Sequence, residues 1–141
     1  MPDRFGPRGV LALMIPLQNA NMQPEYEAMR PDGVSNQIYR FSLAVADDVP
    51  QAVIGSLPDA RGCFPDLIAC GNSLEMRHWS VERQVLYRRD VQDAVPETPV
   101  ITATDATEAA LRAVGARKIA VVSPMSETYS KSVAGYYSAI G

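Results

Sequence analysis

Two short segments hold the side chains best suited to chemistry. Cys70-Gly71-Asn72-Ser73 sets a thiol, a bare backbone, a carboxamide and a hydroxyl in succession, and Leu17-Gln18-Asn19-Ala20-Asn21 gathers carboxamides. A thiol that closes an apolar stretch just before Gly-Asn-Ser sits where backbone N–H groups and a helix N-terminus can lower its pKa. Cys70 is therefore a candidate nucleophile or carbon-acid base. Cysteine is also among the most buried residue types, and filling core volume at a strand end is the competing role for Cys70. Carboxamide N–H groups hold a carboxylate without adding charge, so Asn19 is a candidate substrate clamp, although an ordinary polar turn has the same composition.

Other chemistries find less support. Cys63 precedes the apolar stretch that Cys70 closes, so it belongs at the opposite end and reads as structural or incidental. His78, the single histidine, can carry a proton near neutral pH, and it reads more simply as a cap or surface residue. Asp66 and Glu75 flank the Cys70 stretch and fall at different ends of it. With one histidine and no Cys-x-x-Cys spacing, a four-ligand zinc site cannot be assembled, and no metal is expected. Neither GxGxxG after the first apolar run nor GxxxxGK[ST] occurs, which disfavours NAD and ATP, and there is no GxSxG elbow. No cofactor is expected.

Composition narrows the partners. A net charge of −3 with dispersed arginines gives no footprint for a nucleic acid, and no stretch has the length of a membrane span. The opening Met-Pro-Asp-Arg-Phe-Gly lacks the pattern of a secretory signal, so a cytoplasmic protein with a small-molecule partner is expected. The length of 141 residues fits one domain, residues 1–141, with one core.

These residues need elements to position them. Gly9 to Ile15 is an apolar run ended by Pro16, which suits a buried parallel strand. A short helix over residues 24–29 follows, with Pro24 in its first turn, and Pro31-Asp32-Gly33 ends it. Residues 36–43 read as an outer strand. Asp47 or Asp48 can cap a helix over 49–60 with Val49, Val53 and Leu57 four apart, closed by Gly62. Residues 66–70 form a compact strand, and 80–94 a helix with Val81, Val85 and Val91 inward and Glu82, Arg83, Arg88, Arg89 and Asp90 in water. A strand at 99–102 leads to a helix capped by Thr104 or Asp105 and stopped by Gly115 in a left-handed conformation. Lys118 to Val122 reads as a last strand, and 126–140 as a last helix burying Val133, Tyr137 and Ile140. Five strands alternating with five helices imply a flavodoxin-like α/β fold, a parallel sheet with helices on both faces and ligands beyond the carboxyl ends of its strands.

Several of these segments together resemble the maleate cis-trans isomerase and arylmalonate decarboxylase group of the aspartate/glutamate racemase superfamily. Residues 15–34, IPLQNANMQPEYEAMRPDGV, are similar to its opening pattern of strand-ending proline, asparagine three residues on, Pro-Glu, then Met-x-Pro-x-Gly-Val. PDLIACGNS resembles the strand and loop that deliver the first active-site residue, and TDATEAALRAVGARKIAVVSP a later helix-strand unit. The resemblance implies an N-terminal lobe of a two-lobe, cofactor-independent racemase, isomerase or decarboxylase acting on a small carboxylic acid, with one catalytic cysteine or its replacement from each lobe. It implies that Asn19 binds a substrate carboxylate and that Ser73, with Gly71 and Asn72, stabilises enolate-like charge. Aligning GNS with Gly-Cys-Thr puts Asn72 at the first cysteine position, whereas aligning ACGNS with Ala-Cys-Asn-Thr puts Cys70 there; both remain open. Met125 stands where the group often has a substrate-binding tyrosine, with Tyr129 one turn later. The competing expectation is a non-catalytic carboxylate-binding or assembly domain, and a homodimer would complete a cleft from two copies.

Overall fold

The computed structural model describes residues 4–42, 49–71, 79–122 and 126–141. Over these the elements run β1 (Gly9–Pro16), α1 (Met22–Met29), β2 (Val34–Phe41), α2 (Val49–Arg61), β3 (Leu67–Cys70), α3 (Val81–Ala94), β4 (Val100–Thr102), α4 (Ala103–Ala113) and α5 (Glu127–Ile140). The strands form one sheet in the order β2-β1-β3-β4, with β1 parallel to both neighbours. The expected α/β class is borne out, with four strands among the described residues instead of five. Residues 118–122 join no sheet, and Val122 is 99% exposed. A β-branched run favours extended backbone, but a strand also needs a neighbouring ladder, which composition does not supply.

The central strand shows why both faces of the sheet need helices. Ala12, Leu13, Met14 and Ile15 are all buried in succession, which an alternating strand achieves only when each face is covered. On one face Leu13, Ile15, Met22 and Ala69 form a buried cluster, with Leu11, Tyr26, Ile38 and Ile101 packed against it. Met22 and Tyr26 place α1 there. On the other face Tyr39, in register with Met14, donates its hydroxyl to Asp59 of α2 at 3.0 Å. The buried stripe of α2 is Val53, Leu57 and Ala60.

The chain divides into two compact units, residues 1–71 with 89–101, and residues 72–88 with 102–141. The first holds the sheet apart from Thr102. Its β3 is aligned by Asp66, whose carboxylate accepts the Val10 N–H at 2.8 Å, so Asp66 braces the amino end of the strand, away from the candidate site. After α2 the left-handed residue is Phe64, φ 52°, and not Gly62.

In the second unit α4 begins with a reciprocal cap. Thr102 Oγ1 accepts the Asp105 N–H at 3.2 Å, and Asp105 Oδ2 accepts the Thr102 N–H at 2.9 Å. The cap is thus Thr102, two residues before the expected start, and Gly115 stops the helix at φ 64° as expected. Arg88, expected in water, is only 22% exposed at its side chain and pairs with Asp105 at 3.0 Å and Glu108 at 2.8 Å. It also donates to the Tyr136 hydroxyl at 2.8 Å, and that hydroxyl donates to Glu108. On α3 the buried positions are Gln84, Tyr87 and Val91, while Val85 is 54% exposed. The valines alone mislead there, because Gln84 and Tyr87 hold the inward face at helical spacing. On α5, Val133 and Tyr136 are buried, and Ile140 is 40% exposed. No helix among the described residues is long and apolar enough to cross a membrane.

Candidate functional site

The chain leaves β1 for β2 on one side of the sheet and later returns as β3 on the other. The order reverses between β1 and β3, and in open parallel sheets the crevice beyond the carboxyl ends at such a reversal is where ligands bind. Met14 and Cys70 are in register, so the loop after β1 and the turn after β3 leave the sheet side by side.

Asn19 organises the first loop. Its Oδ1 accepts the N–H of Asn21 at 3.0 Å and of Met22 at 2.9 Å, satisfying two donors at the start of α1. With that oxygen fixed, the Nδ2 donors are directed away from the helix end, and they have no partner among the described residues. The start of α1 therefore falls at Met22, ahead of Pro24. Arg40, at the carboxyl end of β2, braces the same loop: Nη1 donates to the backbone oxygens of Asn19 at 3.0 Å and Leu17 at 3.5 Å, and Nη2 to Gln23 Oε1 at 3.2 Å.

Gly71 itself lies against the start of α1. Its N–H donates to the Met14 oxygen at 3.2 Å, extending the ladder one residue past β3. A Cβ on Gly71 would stand 2.3 Å from Met22 Sδ, so a residue without a side chain lets α1 close over the end of β3. Cys70 points to the opposite, α2-facing side of the sheet. It is 2% exposed, with Sγ 3.7 Å from Met14 Sδ. Cys63 is exposed as a residue, but its thiol tucks 3.3 Å from the Ala60 oxygen, and that partial desolvation pushes its pKa up. Asn72, Ser73, Glu75, His78 and Met125 lie outside the described residues.

Of the sequence candidates, Asn19 and Gly71 are brought together, and Cys70 is adjacent in the chain but turned into a core layer. Met22, Gln23 and Arg40 were not singled out from sequence. Their one signal was Arg40 itself, a charge two residues beyond Ile38 and therefore on the same, partly covered face of its strand. The described surface offers amide donors and a guanidinium, a set suited to an anion such as a carboxylate. Among the described residues no group of three or more His, Cys, Asp or Glu side chains is arranged to hold a metal.

The fold defined by this sheet and its strand-end loops is one that solved enzymes share. No protein-family model matches the chain, and no curated protein does. Among solved structures it is similar to the maleate isomerase Iso from Pseudomonas putida S16, with a TM-score of 0.68 and 22% identity over 94% of this chain and 60% of that one. It is also similar to arylmalonate decarboxylase, with a TM-score of 0.75 and 16% identity over 93% of this chain and 58% of that one. The likeness is one of fold, and the chain spans about three-fifths of the length of each.

Proposed function

We propose that this chain belongs with the maleate isomerase and arylmalonate decarboxylase group. In this reading it supplies a carboxylate-binding wall to a cofactor-independent racemase, isomerase or decarboxylase acting on a small mono- or dicarboxylic acid. The observation that carries the proposal is Asn19: its oxygen is consumed by the start of α1, which leaves its Nδ2 donors presented at the β1–β3 reversal. A carboxylate bound there meets neutral donors and the Arg40 charge, while Gly71, Asn72 and Ser73 are assigned to the charge that develops on an enolate-like intermediate. Cys70 is assigned the thiolate role, as base or nucleophile, a role that requires the α2-side layer now burying it to open. The likeness to an isomerase and a decarboxylase supports the reaction class at the level of fold.

The burial of Cys70 favours a second reading, a domain that binds carboxylates without transforming them. Both are tested by offering the protein maleate, aryl malonates and aspartate, and following turnover, α-deuterium exchange and binding heat. Turnover or exchange that disappears in Cys70→Ala supports the catalytic reading; binding of unchanged dicarboxylate supports the second. Absence of binding, exchange and turnover for all three would sink both.

A further inference from the structure

Arg40 pairs in register with Ile15 and so stands on the α1 side of the sheet. All three of its acceptors are uncharged: the Asn19 and Leu17 backbone oxygens and the Gln23 carboxamide. No carboxylate of the described residues lies within ion-pair distance of it, whereas Arg30, Arg61, Arg88, Arg89 and Arg112 each have an acidic partner. Ordering a long arginine side chain costs rotamer freedom, and three hydrogen bonds to neutral groups offset that cost without neutralising the charge. The result is a fixed positive charge one hydrogen bond from the backbone of Asn19, the residue whose Nδ2 donors have no partner among the described residues.

We propose that Arg40 is a specificity-determining residue that makes the Asn19 loop prefer doubly charged acids to singly charged or neutral ones. The inference rests on the carboxylate-binding reading above. Neutral carboxamide donors recognise a carboxylate through local geometry, whereas the attraction of a guanidinium scales with total ligand charge. A dianion therefore gains about twice the electrostatic free energy of a monoanion, and an uncharged analogue gains none. A residue that only braced the loop would act on all three ligands alike.

The experiment is calorimetric titration of the full chain with maleate, its monoamide and its diamide, for the native protein, Arg40→Gln and Arg40→Lys. In Arg40→Gln, maleate affinity should fall roughly tenfold, the monoamide roughly threefold and the diamide hardly at all, in line with charge scaling. Arg40→Lys, which keeps the charge on a different donor, should recover most of the maleate affinity. The salt dependence of maleate binding should be shallower in Arg40→Gln than in the native protein. Equal losses across the three ligands, an unchanged salt dependence or no loss in Arg40→Gln would overturn the assignment while leaving the carboxylate site standing. No binding of maleate by the native protein would overturn both.

Discussion

At the residue scale, the proposed function gives Asn19 a ligand-binding job beside its observed support of the start of α1, and a substitution can separate the two. Asn19→Asp keeps an oxygen to accept the Asn21 and Met22 N–H groups but replaces the Nδ2 donors with a negatively charged acceptor. Its unfolding free energy should stay within about 0.5 kcal/mol of the native value, while maleate affinity falls roughly tenfold or more. Asn19→Ala loses both functions, and should cost about 1 kcal/mol of stability together with the affinity. Denaturant titration and calorimetry on the same samples give both readouts; a destabilised Asn19→Asp that binds normally would show the residue to be a cap alone. The thiols separate equally well: alkylation of the native protein should label exposed Cys63, slowly below its raised pKa, and leave Cys70 protected until unfolding. Rapid native labelling of Cys70 would show that the α2-side layer opens and would strengthen its catalytic assignment. Asn19 could be singled out in the sequence as a carboxamide in the loop after a strand-ending proline, but its hold on the Asn21 and Met22 N–H groups could not. Arg40 was not, because its worth comes from where β2 pairs with β1, a long-range property.

At the element scale the strands and helices were largely legible, because Pro16, Gly33 and Gly115 punctuate them and the apolar runs have the right lengths. What failed was partnership. Residues 118–122 have strand composition and no ladder, the cap of α4 moved to Thr102, and α3 buries Gln84 and Tyr87 where Val85 was expected. Close approach was equally hidden: nothing local says that Gly71 must lie under Met22. Gly71→Ala should therefore destabilise the protein by no more than about 1 kcal/mol, because the new methyl meets the flexible Sδ–Cε end of Met22, which can shift, and Gly71 does not have a positive φ. Combining it with Met22→Ala should recover part of that loss, since the new methyl then fills vacated space. A double-mutant cycle by denaturant unfolding measures this coupling. Strictly additive losses would mean that the contact does not govern how closely α1 approaches the end of β3.

At the scale of the whole molecule, the charged network of the second unit sets how stability responds to pH. For Glu108, burial alone would raise the pKa, but hydrogen bonds from Tyr136 and Arg88 and the charges of Arg88 and Arg112 outweigh it, and the net shift is downward. For Tyr136, burial and the hydrogen bond to Glu108 outweigh the pull of Arg88, and the pKa is pushed up to about 12 from 10.0. A carboxyl lowered on folding stabilises the native state above its unfolded pKa, and that contribution is lost as pH falls through the folded value. A phenol raised on folding stabilises below its unfolded pKa, and that contribution is lost between pH 10 and about 12. Unfolding free energy should thus hold a plateau between the carboxylate range and pH 10, and decline on both sides. The Tyr136 part of the alkaline limb is worth up to about 3 kcal/mol. Tyr39, raised through its hydrogen bond to Asp59 and by burial, adds to the same limb, so the wild-type curve alone cannot apportion it. Tyr136→Phe makes the separation: it should flatten most of the alkaline decline, and it should shrink the acid limb too, because Glu108 loses the first of the interactions that lower its pKa. Denaturant unfolding across pH, with tyrosinate absorbance to follow the phenol directly, checks both limbs in one series. An unchanged alkaline limb in Tyr136→Phe would show that the Arg88–Glu108–Tyr136 network does not govern the molecule's alkaline stability.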